Sequence, residues 1–416
     1  MPRKPFALSA YLASARGRAT AQPSVVPRPD GPLIWMHAAR LDSARALAAL
    51  ATRIRAQRDE ISVLLTWHPS VPAQPWPGCI GQPLPADTVA DAQSFAAHWR
   101  PDIGLWTGQT LQPALLSRLS DSGTRLVHLD AGNDPWHVPG PVWLPDCTTA
   151  TLALFDRIFS IDDMAHRRLR RLGLADERLR RAGPLSESAP PLDCAPELHE
   201  EMAQLLSGRP AWLAARVRAD EAAEILQAHR RAIRLAHRLI LFMVPASRED
   251  GAEICRIARA SDLRSVSWDN GEMPDENTQV LVTEDDSELG LWYRLAPIVF
   301  LGGSLRPGHG GEDPLAAAAH GAALLYGPNV GRHLSAYTRL VEAGAARIVR
   351  DFDSLASAVS QLVAPDRAAA MAHAGWDVVS QGAALTDEVI AQVFRWLDGE
   401  DDPRDDTGGR DAGEAA

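Results

Sequence analysis

The sequence predicts two α/β half-domains that face a central cleft, each with a parallel sheet covered by helices on both faces. Two observations predict this fold class. Short hydrophobic runs typical of buried strands alternate with helical stretches through most of the 416 residues. The alternation stops at a segment rich in proline and glycine near the middle of the chain, and then restarts. A chain of this length also suits two domains of ordinary size.

The alternation is clearest in the first half of the chain. The run LIWMH at 33–37 reads as a buried strand, a helix rich in alanine and leucine follows over 43–55, and SVLLT at 62–66 reads as the next strand. Because strands joined by helices pair in parallel, we predict an N-terminal α/β domain over residues 1–182. Its further predicted strands lie at 103–106, 125–129 and 157–161, and its further helices lie near 88–99, 111–120 and 149–156.

A segment with linker character separates the two halves. Residues 183–210 contain Gly-Pro and Ala-Pro-Pro sequences and end in Gly-Arg-Pro, which is typical of turns around one short helix. The alternation then restarts, so we predict a C-terminal α/β domain over 211–398 and a disordered acidic tail over 399–416. The predicted strands of this second domain lie at 211–215, 239–244, 280–283, 298–301, 323–326 and 346–349, and its last helix lies near 384–398.

Composition and charge exclude several classes of protein. The chain is 46% hydrophobic and 23% charged, which is ordinary for a globular protein with two cores. Its formal net charge of −11 disfavours binding to nucleic acid through the phosphate backbone. The cysteines stand singly, without disulfide or metal spacing, so we expect reduced thiols in the cytoplasm and no metal site. These cysteines are Cys79, Cys147, Cys194 and Cys255.

Two segments bear on contact with a membrane. No apolar run reaches the roughly 18 residues that a transmembrane helix needs. The N-terminal segment MPRKPFALSAYLASARGRA reads as a packed or frayed terminal helix, or as a basic amphipathic helix resting on an anionic membrane surface. The basic stretch at 166–171 reads as a solvated helix face, or as a contact with anionic lipid headgroups.

A glycine-rich loop is the most informative motif. The sequence FLGGSLRPGHGGEDPL at 300–315 runs from a hydrophobic strand, through five glycines, to a helix that Asp313 and Pro314 can open. Glycines let the backbone approach a ligand, and a helix N-terminus offers N–H groups to an anion. We therefore predict that the loop binds a phosphate of a nucleotide sugar, the alternative being a strained connection without a ligand. The spacing matches neither the dinucleotide fingerprint nor the P-loop.

These residues carry a family resemblance. The stretch from YRLAPIVFLGGSL to EAGAARIV, over 293–349, resembles the C-terminal half of the bacterial 3-deoxy-D-manno-octulosonic acid (Kdo) transferases, with their pattern GGSL-x-x-x-GGHNPLEPA. PLIWMHAA at 32–39 resembles the strand and turn that lead to the family's catalytic glutamate. RPAWLAA at 209–215 and VTEDDSELGLWYRLA at 282–296 resemble two further family segments. The resemblance extends over about residues 30–365.

The resemblance implies a fold and a reaction. It implies the GT-B fold, with two Rossmann-like half-domains facing a cleft. It implies transfer of Kdo from the sugar nucleotide CMP-Kdo to a lipid A precursor at the inner membrane, with inversion and without a metal or cofactor. The chain would then be cytoplasmic, with peripheral attachment to the cytoplasmic face of the inner membrane as an alternative.

The family's catalytic base is missing. The motif that resembles HAASVGE reads His-Ala-Ala-Arg-Leu-Asp-Ser here, so Ser43 stands at the position of the general-base glutamate. A serine hydroxyl does not accept a proton at neutral pH without a neighbouring base. Asp42 is the only nearby carboxylate and becomes the candidate base if the loop shifts. The alternative is that Asp42 or Ser43 caps the following helix.

Most scaffold positions of the donor half persist, whereas many polar ones have changed. The acidic positions that the family carries near the acceptor are lost at 108–113, and Ala316 replaces a glutamate expected near the donor ribose. Arginines and a histidine, among them Arg216 and Arg218, offer replacement anion contacts or are solvated surface groups. By resemblance and by the loop argument, the donor-binding candidates are Glu221, Glu288, Gly302, Gly303, Ser304, Gly310, Gly311, Asp313, Gly327 and Pro328.

Three hypotheses remain open on the sequence. The first is a divergent Kdo transferase that binds a sugar nucleotide and a lipid A precursor or another membrane acceptor. The second is a non-catalytic paralogue that keeps the fold as a binding or partner module. The third is a transferase with a different sugar nucleotide, since one scaffold hosts many chemistries.

Overall fold

The computed structural model describes residues 4–17, 26–141, 143–185 and 192–400. The chain divides into two compact units: unit 1 is Met1–Ser188 with Gln381–Ala416, and unit 2 is Ala189–Ser380. Each unit contains a seven-stranded sheet, and every strand pair in both sheets is parallel. The predicted fold class, two Rossmann-like α/β halves, is confirmed.

Unit 1 has the strand order β3-β2-β1-β4-β5-β6-β7. Both faces of the sheet are buried under helices, in two separate hydrophobic clusters. The strands are β1 Leu33–Ala38, β2 Ser62–Trp67, β3 Ile80–Pro83, β4 Ile103–Thr107, β5 Arg125–Ala131, β6 Arg157–Ser160 and β7 Leu179–Arg181. The helices are α1 Phe6–Ser14, α2 Leu41–Gln57, α3 Val89–Trp99, α4 Pro113–Asp121, α5 Thr148–Leu152 and α6 Asp163–Arg171.

Unit 2 has the strand order β10-β11-β9-β8-β12-β13-β14. Its strands are β8 Ala211–Val217, β9 Ile240–Pro245, β10 Ser265–Ser267, β11 Val280–Val282, β12 Ile298–Leu301, β13 Ala323–Tyr326 and β14 Ala346–Ile348. Its helices are α7 Pro196–Leu206, α8 Ala219–Ala232, α9 Arg248–Ala260, α10 Leu289–Leu295, α11 Leu315–Ala319, α12 Leu334–Glu342 and α13 Phe352–Leu362, and α14 Pro365–Leu397 begins here.

The structure divides the chain differently from the predicted domain boundaries. The last helix, α14, begins in unit 2 and ends in unit 1. Its second half places Leu385, Val389 and Val393 in the hydrophobic core of unit 1. The predicted linker 183–210 contains α7, whose Met202 and Leu206 lie in the core of unit 2. Burial of these side chains assigns both segments to the units they complete. From residue 401 the predicted acidic tail lies outside the described residues.

The N-terminal helix is packed against unit 1. Leu8 and Tyr11 of α1 are buried in a core cluster with residues of α3, α4 and α5. Lys4 donates hydrogen bonds of 2.6 Å to Ser117 and to Asp121 on α4. The interpretation as a packed terminal helix is therefore confirmed. In the described ranges, none of the helices combines the length and the apolar character needed to cross a membrane.

Basic side chains on α6 form hydrogen bonds and ion pairs with other residues of the chain. Arg168 donates to the backbone carbonyl of Asp134 at 3.2 Å, and Arg170 pairs with Asp176 at 2.8 Å. Arg181, downstream of the stretch, pairs with Asp163 at 2.9 Å. These contacts favour the interpretation as a helix face with local partners.

Buried histidines predict a dependence of stability on pH. Burial lowers the pKa of His37 and His229 to about 3 and that of His128 to about 4. An unfolded histidine has a pKa of about 6.5, so below that pH the unfolded chain binds protons that the folded chain does not. The contribution of these groups is therefore fully present above about pH 6.5 and is lost as the pH falls.

The buried carboxyl group of Asp87 changes the stability with pH in the opposite direction. Burial raises its pKa to about 6, so its contribution is present at low pH and is lost as the pH rises from about 4 to 6. Three histidines outweigh one carboxyl group, so we expect the thermal unfolding temperature to decrease as the pH is lowered from 6.5 to 4. Calorimetric scans at half-unit pH steps check this. An unfolding temperature that stays constant or increases as the pH is lowered over that interval contradicts the expectation.

Candidate functional site

Both sheets reverse their strand order next to a predicted motif. In unit 1 the order reverses between β1 and β4, and in unit 2 it reverses between β8 and β12. Ligands of open α/β sheets bind at the carboxyl ends of the strands at such a switch point. The helix that follows β1, α2, carries Asp42 and Ser43 in its first turn, and the loop after β12 is the glycine-rich loop. Each unit therefore has one candidate site.

The candidate site of unit 1 is a cavity of about 560 Å³ at the carboxyl ends of β1 to β4. It brings together the segment after β1 and the segment Gly108–Gln112 after β4, two regions where the resemblance expects an acceptor. Its ionisable lining groups are His37, Arg40 and His68, and no lining residue carries a carboxylate. We call this cavity the unit 1 pocket. Its lining comprises His37, Ala39, Arg40, His68, Pro69, Ser70, Leu84, Pro85, Ala86, Trp106, Gly108, Gln109, Thr110, Gln112 and Pro139.

Ser43 is a helix cap. It is buried in the first turn of α2, where its Oγ accepts from the Arg40 N–H at 3.0 Å and donates to the Arg40 carbonyl at 2.8 Å. These bonds confirm the capping alternative and leave the hydroxyl engaged with the backbone. Asp42 is exposed in the same turn and does not line the unit 1 pocket. Its role as a base stays a prediction that requires the loop to move.

Two histidines of the unit 1 pocket were missed by the sequence analysis. His37 is 3% exposed, and its ring centroid lies 4.1 Å from that of Trp106. His68 is exposed at the end of β2. Their positions at the ends of the two strands LIWMH and SVLLTW are a signal that could have found them, because parallel neighbours place their carboxyl ends side by side.

In unit 2, a buried carboxylate holds the glycine-rich loop. Glu221 on α8 is fully buried and accepts hydrogen bonds from the backbone N–H groups of Gly303, Ser304 and Leu305 at 2.7, 2.9 and 2.7 Å. Three consecutive N–H groups aimed at one point form an anion-binding concavity. Here the anion is the protein's own side chain, so these groups are engaged within the loop. The predicted contact of Glu221 with the donor stays a prediction.

Close backbone contacts explain two of the predicted glycines. A Cβ on Gly302 would lie 2.4 Å from the Arg216 carbonyl oxygen, and a Cβ on Gly327 would lie 2.2 Å from the Ser304 carbonyl oxygen. The Ser304 hydroxyl accepts from the Gly327 N–H at 2.8 Å and donates to the Leu301 carbonyl. These contacts hold the loops after β12 and β13 in close contact.

The other predicted donor-side residues lie around the same strand ends. Gly310 and Gly311 have left-handed backbones, with φ of 84° and 77°. The Asp313 carboxylate accepts from the Leu315 N–H at 3.0 Å, but Pro314 and not Asp313 is the N-cap of α11. Glu288 precedes α10 and accepts from the Trp268 indole N–H. Pro328 is exposed beside the buried Gly327.

Two arginines stand at the switch point of unit 2. Arg216 has a left-handed φ of 52° at the end of β8, where the pairing with β9 shifts register. A non-glycine residue in this conformation is strained, and such strain clusters at ligand sites. The Glu312 carboxylate lies near both arginines. Its oxygens are 3.5 Å from an Arg216 Nη and 3.4 Å from an Arg218 Nη. In the described structure, the Nε atoms of both arginines are buried without a hydrogen-bond partner. Glu312 was missed by the sequence analysis.

Comparison with known proteins shows which family the chain resembles. Residues 13–186 match the model of a family described as 3-deoxy-D-manno-octulosonic-acid transferase (kdotransferase). The 3-deoxy-D-manno-octulosonic acid transferase of Haemophilus influenzae is 24% identical over 383 residues, which cover 89% of this chain and 88% of that protein. The protein of the same name from Bordetella pertussis is 26% identical over 405 residues, covering 92% and 90%. The chain is similar to the Kdo transferases, over residues 13–186 to the family model and over most of its length to these two relatives.

A solved structure is also similar to part of this Kdo transferase homologue. The C-terminal CMP-Kdo binding domain of WaaA from Acinetobacter baumannii matches 48% of this chain and 98% of its own, with 24% identity and a TM-score of 0.35. Within the described residues, no group of three or more His, Cys, Asp and Glu side chains is placed to hold a metal ion.

Each site suits one part of a glycosyl transfer. The unit 2 site offers guanidinium groups and a strained strand end, which suit a phosphate-bearing ligand. The unit 1 pocket is lined by an aromatic ring, side-chain amides, hydroxyls and two imidazoles, which suit a sugar. What the unit 1 pocket lacks, relative to the family pattern, is the carboxylate that would take the proton from the attacking hydroxyl.

Proposed function

We propose that this Kdo transferase homologue binds CMP-Kdo and transfers Kdo to a lipid A precursor, with inversion and without a metal or cofactor. The acceptor would reach it at the cytoplasmic face of the inner membrane. The match to the family model and the names of the relatives from Haemophilus influenzae and Bordetella pertussis support this proposal. The observation that carries it is the arginine pair at the switch point of unit 2.

The arginine pair fits a leaving phosphate. In the proposed reaction an acceptor hydroxyl forms a bond to the anomeric carbon while the bond from that carbon to the phosphate oxygen breaks. CMP departs with the bonding electron pair, so negative charge grows on its phosphate. Arg216 and Arg218 can meet this charge, because their Nε–H groups have no partner among the described residues. Their Nη groups lie near three carboxylates, those of Glu312, Asp286 and Asp250.

Titration with CMP tests the proposal. We expect CMP to bind and Arg218→Ala to weaken binding by about 10- to 100-fold, since a hydrogen bond to a charged group contributes about 1.5–3 kcal/mol. Arg306→Ala is the matched control, because Arg306 lies in the glycine-rich loop after the neighbouring strand β12 and pairs with Glu224 on α8. Its affinity for CMP should stay within about twofold of the wild type. Failure of the folded protein to bind CMP or any other nucleotide would overturn the proposal.

One observation favours the second hypothesis, a binding module without transfer. No carboxylate lines the unit 1 pocket, and Ser43, at the position of the catalytic glutamate, caps α2. A protein that binds CMP-Kdo and the lipid A precursor but releases no CMP in their presence would be such a module. Stronger binding of another nucleotide than of CMP would instead select the third hypothesis, a different donor.

A further inference from the structure

The unit 1 pocket contains a buried histidine with an unused ring nitrogen. His37 is 3% exposed, lies at the carboxyl end of β1 and lines the pocket with Trp106 beside it. Its Nδ1 lies 3.2 Å from the Thr66 hydroxyl oxygen. No partner in the described part of the chain is recorded for its Nε2. Because His37 lines the pocket, this nitrogen is available to a ligand there.

The neighbouring hydrogen bonds decide which nitrogen carries the proton. The Thr66 hydroxyl accepts from the Trp35 indole N–H at 2.9 Å and donates its single hydrogen to the Met36 carbonyl at 3.3 Å. With that hydrogen on the Met36 carbonyl, the hydroxyl accepts from His37, so we assign the hydrogen to Nδ1 and a lone pair to Nε2. In the structure this assignment satisfies Trp35, Thr66 and Nδ1 together.

The second pocket histidine has the opposite tautomer. The Nδ1 of His68 accepts from the Ser70 backbone N–H at 3.2 Å, and a backbone N–H can only donate. In neutral His68 the hydrogen therefore lies on Nε2. The pocket thus holds one imidazole that accepts and one that donates. A sugar hydroxyl, which does both, matches such a pair.

We propose that His37 Nε2 accepts the hydrogen bond of the attacking acceptor hydroxyl, in place of the carboxylate that the family carries at the position of Ser43. The inference rests on the proposed function, because it places the acceptor sugar in the unit 1 pocket. During transfer the hydroxyl oxygen bonds to the anomeric carbon, its proton passes to Nε2, and CMP leaves with the electrons of the broken bond. His37 is then the catalytic base of this chain, and His68 positions the sugar.

The surroundings of His37 keep its lone pair available. Burial and the neighbouring His68 lower the pKa of His37 to about 3, so the ring stays neutral at physiological pH. A base this weak is comparable with a carboxylate, whose ordinary pKa is about 4. The other ionisable groups that line the unit 1 pocket are Arg40, which has no acceptor atom on its guanidinium, and His68, whose Nδ1 already accepts from the Ser70 N–H.

Nitrogen NMR of the ¹⁵N-histidine-labelled full chain tests the proposal. In the free protein we expect His37 to show a protonated Nδ1 and a bare Nε2. Addition of a glucosamine disaccharide, the sugar portion of a lipid A precursor, should shift the Nε2 signal. His98, whose Nε2 lies 2.9 Å from the Val26 carbonyl oxygen, is the internal control and should not shift. A bare Nδ1, or an unchanged Nε2 signal at saturating disaccharide, would overturn the inference.

A variant separates this inference from the proposed function. His37→Gln keeps a hydrogen-bond acceptor but has no basic nitrogen, so we expect turnover to fall by about 10²- to 10⁴-fold with unchanged CMP affinity. Wild-type turnover in the variant would overturn the role of His37 and leave the transferase intact. If the wild type itself does not turn over, the transferase proposal fails. The NMR titration then still decides whether His37 Nε2 receives the sugar.

Discussion

Replacing Glu221 by glutamine releases the glycine-rich loop from its anchor, with an expected loss of about 3–5 kcal/mol of local stability. The two carboxylate oxygens accept from three consecutive N–H groups, those of Gly303, Ser304 and Leu305. Glutamine keeps one oxygen and puts an NH₂ group where the other stood, facing hydrogen-bond donors. Each buried donor left without a partner costs about 1–3 kcal/mol.

Hydrogen exchange of the loop amides measures this effect. In Glu221→Gln we expect the N–H groups of Gly303, Ser304 and Leu305 to lose about two to three orders of magnitude of protection, since tenfold corresponds to about 1.4 kcal/mol. Glu224→Gln is the matched control: it lies one turn along α8 and pairs with Arg306 near the surface. Its loop amides should exchange as in the wild type. Equal protection in Glu221→Gln would show that the carboxylate does not hold the loop.

Gly327→Ala should destabilise unit 2 by about 3 kcal/mol, whereas Gly331→Ala, four residues away, should stay within about 0.5 kcal/mol of the wild type. A Cβ on Gly327 would lie 2.2 Å from the Ser304 carbonyl oxygen and 2.5 Å from the Leu305 nitrogen. Backbone must move to admit it, which breaks the bond from the Gly327 N–H to the Ser304 hydroxyl. A Cβ on Gly331 meets nothing within 4 Å.

The pair isolates the steric effect. Neither glycine has a left-handed φ, and both substitutions restrict the unfolded chain in the same way. The difference between the two variants is therefore the cost of separating the loops after β12 and β13. For a unit of this size we expect thermal unfolding of Gly327→Ala about 6–12 °C below Gly331→Ala. Equal melting temperatures would contradict the close contact between the two loops.

Much of the fold could be predicted because it is encoded locally. The runs LIWMH and IVFL were predicted as strands, and they form β1 and β12, next to the two switch points. Both sit at the centre of a sheet covered by helices, so their side chains are buried on both faces and the run is hydrophobic throughout. The strands that were missed, β3, β7 and β10, are short edge strands with partly exposed residues, so their sequences carry a weaker pattern.

The roles within the candidate sites could be predicted only in part. Helix capping by Ser43 is a contact between neighbours in the chain, so it was among the alternatives that the sequence offered. Glu221 accepts from Gly303 across 82 residues, and no local pattern shows that its carboxylate faces loop amides. The same holds for α14, whose second half completes unit 1 through contacts such as that of Arg53 with Asp387, 334 residues apart.

The sequence by itself predicted the two parallel α/β halves, the family resemblance and candidate sites after β1 and β12, because these follow from local hydrophobic patterns and from motif residues. Only the tertiary structure decided which polar groups are already paired and which remain open to a ligand. Glu221 and Ser43 bond to the backbone, whereas His37 keeps a free ring nitrogen in the unit 1 pocket. The physical reason is that a hydrogen bond depends on distance and direction in space, which distant segments set when their strands and helices pack together.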